Sequence, residues 1–169
     1  MPRELPHWRL APMSRPIRIL TWLLYWLPVA FLLAALTGKA PILFWPGIVV
    51  LCIFALVWMV FRPTRFELDD AELIVRRPLL RSRFPLSSLQ RVQLIDATEL
   101  KARLGFAVRF GVAGLWGVFG ILWSRKAGRV STWISSSDQF VWMEFSDRPP
   151  LLITPEHPDS FIAELQKRR

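Results

Sequence analysis

Cysteine is nearly missing from this chain: Cys52 is the only one in 169 residues. No disulfide can form within the chain, so folding requires no oxidising compartment. Cys52 also lies inside an apolar run, which excludes cysteine metal sites and a cysteine nucleophile from the polar remainder. Histidine is almost as scarce, with His7 in the N-terminal tail and His157 where a final helix is expected to begin. HExxH, a nucleophile elbow and a cysteine–histidine pair are all absent. Charge is missing from two long stretches, Ile19 to Leu36 and Ile42 to Phe61.

Those uncharged stretches set the first expectation. Only Thr37-Gly38-Lys39-Ala40-Pro41 separates them. At about 1.5 Å per residue they reach roughly 27 and 30 Å, the thickness of a bilayer's hydrocarbon core. The sequence therefore predicts a two-helix transmembrane hairpin over residues 19–61, after a tail at 1–18 and before a domain at 62–169. Nothing polar in the hairpin points to transport, so a plain anchor is expected.

Basic residues give the orientation. Residues 1–18 carry Arg3, Arg9, Arg15 and Arg18 against Glu4, for +3. Arg62, Arg65, Arg76, Arg77 and Arg81 follow the second span closely, while the loop holds only Lys39. Both termini are expected in the cytoplasm. Trp22, Trp26, Trp45 and Trp58 lie near the span ends, where aromatic belts form, and Trp8 is expected at the headgroups. A cleaved signal peptide competes for residues 1–40. The apolar run exceeds the usual length of about 7–15 residues, no A-x-A site follows, and a second run starts at once.

The stretch Leu104 to Trp123 also reads as a span, with Arg109 its only charge. Gly105, Gly111, Gly114, Gly117 and Gly120 interrupt it, and such glycines serve turns or close backbone approach. A span here would leave Ser124 to Arg169 on the far side, separated from the strands before Leu104. No third span is expected.

Short alternating segments fill the rest, as an antiparallel β domain requires. Strands are expected at 65–68, 72–76, 81–84, 90–95, 118–123, 129–134, 139–145 and 151–153. Asp69-Asp70 makes a turn, 85–88 a helical turn, and 96–103 is compatible with a short helix. Phe161, Ile162 and Leu165 form one stripe of a final helix, with Asp159 in its first turn and Lys167-Arg168-Arg169 at its end.

At this point a family resemblance becomes specific. Arg109-Phe110-Gly111-Val112-Ala113-Gly114-Leu115-Trp116-Gly117-Val118-Phe119-Gly120 resembles the glycine-rich central segment of bacterial pleckstrin-homology-like domains. Leu151 to Leu165 resembles their ending, and Phe66 to Leu73 their opening hairpin. The likeness covers roughly residues 64–166 and implies a mainly-β fold: about seven antiparallel strands in a partly open barrel, closed by a C-terminal helix. With the spans, it implies a multi-pass protein of the bacterial inner (plasma) membrane. It implies little about activity, since this fold binds lipids, peptides and proteins alike.

Asp69, Asp70 and Glu72 read as a solvated turn, and the glycine spacing lacks the endings of phosphate or dinucleotide loops. No catalytic residue, metal or cofactor is expected. With 17 basic and 12 acidic side chains after residue 61, nucleic acid is not expected as a partner. Arg76, Arg77, Arg81 and Arg83 form the best charged cluster, a candidate for anionic headgroups. Alternation puts Arg81 and Arg83 on one face and sends Arg76 and Arg77 to opposite faces. Phe106, Phe110, Trp116 and Phe119 surround the glycines, with Trp133 and Trp142 on later strands. They pack as core or leave an apolar patch, and Trp116 is counted with the interfacial aromatics. The leading expectation is a non-catalytic binding or scaffold module engaging a protein partner, or self-associating, at the cytoplasmic face. The alternative is sensing of anionic phospholipid through the arginines, and a small membrane enzyme is a distant third.

Overall fold

The computed structural model of the chain describes residues 5–168. Arg3, Glu4 and Arg169 lie outside the described residues. The chain opens with β1 (His7–Arg9) and enters α1 (Arg15–Leu36), with Pro16 in its first turn. After a one-turn 3-10 segment at Pro41–Leu43 comes α2 (Phe44–Val60). Helix α1 and the continuous helical run Pro41–Val60, which joins the 3-10 turn to α2, are each long and apolar enough to cross a membrane, and only 11% of each apolar window is buried. A helix of a soluble core would be mostly covered, so this exposed apolar surface is what a lipid solvent would stabilise. The helices meet closely at Gly47, where a Cβ would lie 2.9 Å from the Leu32 side chain. Small residues allow such approach between spans.

The remainder is β2 (Arg65–Leu68), β3 (Glu72–Arg76), β4 (Arg81–Pro85), β5 (Leu89–Ile95), α3 (Ala97–Leu104), β6 (Ala107–Ala113), β7 (Val118–Ser124), β8 (Gly128–Ile134), β9 (Phe140–Phe145), β10 (Leu151–Ile153) and α4 (Pro158–Lys167). Two sheets form, in the orders β1-β2-β3-β4 and β5-β9-β10-β8-β7-β6. They face each other without closing into a barrel. All neighbours are antiparallel except β10 and β8.

Two strands exceed the sequence expectation. β1 is three residues long and carries no alternation signal, yet it pairs His7 with Glu67, Trp8 with Phe66 and Arg9 with Arg65. β6 occupies the stretch that competes as a third span. Its glycines serve a hairpin instead: Gly111 and Gly120 sit opposite each other, and a Cβ on either would strike the carbonyl of Phe119 or Phe110. At φ +140° and +128°, both also occupy backbone that side chains rarely adopt.

Two apolar layers hold the domain. Phe66, Leu68, Leu73, Val75, Phe119, Met143, Leu151 and Ile153 fill the space between the sheets, closed by Phe161 and Leu165 of α4. Full burial of each such side chain is worth about 1.5–3 kcal/mol. Leu122, Val130, Trp142 and Leu152 cover the other face of the larger sheet beneath Leu104 of α3. That helix is capped by Asp96, whose carboxylate accepts the Glu99 N–H at 2.7 Å.

The N-terminal segment stitches the sheets together. Beyond β1, Ala11 N–H donates to the Thr154 carbonyl at 2.9 Å and Glu156 N–H to that of Arg9 at 2.9 Å. Ser135 Oγ donates to the Ala11 carbonyl at 2.6 Å, and Ser14 N–H reaches the Ser135 carbonyl at 3.2 Å. Residues flanking both ends of the helical hairpin thus belong to one folded body.

Candidate functional site

The site of interest is the junction where the helices meet the β domain. The β6–β7 turn, Gly114-Leu115-Trp116-Gly117, rests on α1. Gly114 adopts φ +100°, and a Cβ there would lie 2.7 Å from Leu20. Trp116 holds a left-handed backbone, φ +59°, unusual for a large side chain. Three contacts fix it. Its N–H donates to Thr21 Oγ1 at 3.0 Å, its indole Nε1–H to Tyr25 Oη at 2.7 Å, and the Arg62 guanidinium lies 5.6 Å from its ring centre. Thr21 Oγ1 in turn lies 2.8 Å from the Gly114 carbonyl and 2.8 Å from that of Ile17, both acceptors for its hydroxyl. Trp116 is 8% exposed, so the aromatic counted among interfacial candidates is a wedge between α1, α2 and the domain.

From this turn the hairpin runs outward as a sheet edge. Val112 and Phe119 near the turn pack into the core, but further along the same face surfaces. Phe110 is 61% exposed, Trp123 58%, and Val108 sits directly opposite Trp123. Phe106, 72% exposed, extends the patch. β6 pairs only with β7 among the described strands, leaving its outer edge open.

The second surface is basic. Register places Arg9, Arg65, Arg76 and Arg81 side by side, one from each strand of the smaller sheet. Adjacent like charges destabilise a sheet, and a central acid relieves this. Glu67 is buried beneath the row, 2.6 Å from Arg65 Nε and 3.3 Å from Arg76 Nε. Arg77 points the other way: it donates to the Val60 carbonyl at 3.0 Å and Ser82 Oγ at 2.8 Å, and lies 5.9 Å from the centre of the Trp133 ring. Burial lowers its pKa from the ordinary arginine value.

A sequence-family model described as Bacterial PH domain matches residues 64–169. The chain belongs to that family. No curated protein and no solved structure matches it. The likeness read from the glycine run, the ending and the opening hairpin thus identifies the family correctly.

Within this PH domain the four candidate arginines do not converge. Arg76 is engaged by Glu67 and Arg77 by the end of α2, whereas Arg81 and Arg83 are exposed on one face. Among the described residues, Arg83 makes one ion pair, at 3.8 Å with Glu72. Trp22, Trp26, Trp45 and Trp58 lie exposed along the helices. Trp8 packs edge-on against Phe161 at 5.2 Å and donates to Ser160 Oγ at 3.1 Å, as part of the PH domain's first sheet. The acidic turn is tied to α4: Arg168 contacts Asp70 at 2.9 Å and Glu164 at 2.9 Å, which holds the Glu164 carboxyl below its ordinary pKa. Among the described residues, no group of three His, Cys, Asp or Glu could hold a metal. Sequence reasoning missed Thr21, Tyr25 and Arg9, because their roles depend on register and on helix–domain contacts that no local pattern encodes.

Proposed function

We propose that the protein is a membrane-anchored, non-catalytic binding module of the bacterial inner membrane, with its PH domain at the cytoplasmic face and a protein partner, or a second copy, on the β6–β7 edge. The observation that carries this reading is the exposed apolar face of Val108 and Phe110 on the open edge strand β6, flanked by Phe106 before it and Trp123 on β7, in a hairpin whose turn is fastened to α1. Exposed apolar patches mark interaction surfaces, and an open edge can accept another strand. Fastening to a membrane helix holds that surface at a fixed height beneath the lipid. The positive-inside bias supports the cytoplasmic side. The pairing of β1 with β2 supports an even number of crossings, since both flanks of the hairpin join one sheet.

The test is site-specific photocrosslinking in intact membranes from position 110, with position 91 as a control. A discrete adduct from 110, lost on adding Trp123→Asp and missing from 91, supports the reading. Adducts equal from both positions, or none from 110, contradict it. A second reading, weak attraction to anionic headgroups through Arg81 and Arg83, is favoured by their shared exposed face. Salt-insensitive membrane contact in the Arg81→Ala/Arg83→Ala variant, unchanged from the parent, would remove it.

A further inference from the structure

At the exit of α2 the PH domain and the helices enclose a cleft of about 310 Å³, walled by Arg9, Leu10, Trp58, Arg62, Thr64 and Pro78. Its chemistry is basic and aromatic. Arg62 follows α2 by two residues, is half-buried, and has no carboxylate partner among the described residues. Burial lowers its pKa from the usual arginine value, so the cost of desolvating this cation is not offset by a fixed anion. Arg9 enters from β1 and likewise has no ion pair among the described residues. Trp58, on the last turns of α2, lies between the cleft and a second hollow.

That hollow is apolar, about 300 Å³, lined by Phe54, Ala55, Trp58, Met59 and Trp116. It runs along α2 and shares Trp58 with the basic cleft. Arg62, of the basic cleft, lies over the ring of Trp116, of the apolar one, 5.6 Å from its centre. A cationic compartment and an apolar one that share the Trp58 wall, beside a helix suited to cross a membrane, match one class of ligand. Its anionic part must be compact and its tail long. Guanidinium groups suit phosphate, and a tryptophan at the boundary suits the layer between headgroup and chain.

We infer that the junction holds one anionic glycerophospholipid, its phosphate between Arg62 and Arg9 and an acyl chain in the groove beneath Trp58 and Trp116. The seat takes Arg9 from β1, at the far end of the arginine row from Arg81 on β4, and adds Arg62 from the exit of α2. It rests on the helices crossing a bilayer, as proposed above. A lipid seated there fills the angle between α2 and the domain and sets their relative pose.

The test uses the full chain purified in mild detergent and analysed by native mass spectrometry, titrated with phosphatidylglycerol, phosphatidylcholine or glycerol phosphate. One phosphatidylglycerol per chain is expected, retained in preference to phosphatidylcholine and not displaced by glycerol phosphate. Arg62→Gln and Arg9→Gln should each weaken retention about tenfold, while Arg62→Lys keeps most of it and Arg129→Gln changes nothing. Ala55→Phe, which fills the groove, should lower retention of both lipids. Equal retention by folded Arg9→Gln and parent, equal binding of the two lipids, or displacement by glycerol phosphate overturns the inference. Alkaline extraction of the same variants reads membrane spanning separately, so loss of anchoring and loss of the lipid seat are distinguishable.

Discussion

Thr21 shows how much a single hydroxyl can decide at this junction. It accepts the Trp116 N–H and faces the Gly114 carbonyl, both buried. Thr21→Val keeps the shape and removes the only oxygen, so a buried donor is left unmade at a cost of about 1–3 kcal/mol. A lower thermal midpoint in detergent, with Tyr25 and Trp116 loosened in hydrogen exchange, is the expected result; an unchanged midpoint contradicts it. Asp147 offers a cleaner electrostatic reading. Hydrogen bonds from Arg148, then Ser88, lower its pKa from 3.8 to about 2. A carboxyl depressed in the folded state contributes stability above its ordinary pKa and loses it as pH falls through the folded value. Its carboxyl carbon should therefore titrate near pH 2 in NMR, and titration at the ordinary value would contradict the pairing. Arg148 also donates to the Arg83 carbonyl at 3.2 Å and lies 5.8 Å from the Phe84 ring centre, linking the two sheets.

The β6–β7 hairpin is the element on which sequence and structure most nearly part. By hydropathy alone residues 104–123 qualify for a membrane. The glycines argue otherwise, since each permits a backbone that a straight helix would not need. Gly120→Ala adds a Cβ against the Phe110 carbonyl at φ +128°, a strain of about 1–3 kcal/mol. Faster amide exchange across residues 107–124 than in β9 is expected; unchanged exchange would mean the paired glycines are not needed. The strands of the alternating segments were legible because one face is buried and the other wet. Arg81 and Arg83 were legible on one face for the same reason. β6 was not, because its face is buried near the turn and exposed further out. β1 was not, because three residues show no period. The arginine row across four strands depends on register, which no single strand declares.

Across the whole molecule, the N-terminal segment makes the two helices and the PH domain one unit rather than an anchor with a tethered cargo. Pro6 accepts the Leu68 N–H at 3.0 Å, Leu10 bridges to Pro155, and the chain then enters α1 directly. Removing residues 1–10 should destabilise the domain even though the family match begins at residue 64. Denaturation of the chain lacking residues 1–10, compared with the full chain in the same detergent, should show a lower midpoint; equal midpoints would mean the stitching contributes nothing. The two apolar helices were legible from their lack of charge and the family from its glycine run and ending. What remained hidden was the contact between them, because Thr21, Tyr25 and Trp116 are far apart in sequence.

The central claim is that two helices carry the chain out and back, leaving β1 and the PH domain together on the cytoplasmic side. Labelling intact cells with a membrane-impermeant maleimide tests it most directly, using single cysteines at positions 9, 39 and 129 in a Cys52→Ser background. Position 39 alone should react from outside, with 9 and 129 reacting only after the membrane is opened. Reaction at 129 in intact cells, or at 9 and 39 together, would contradict the account.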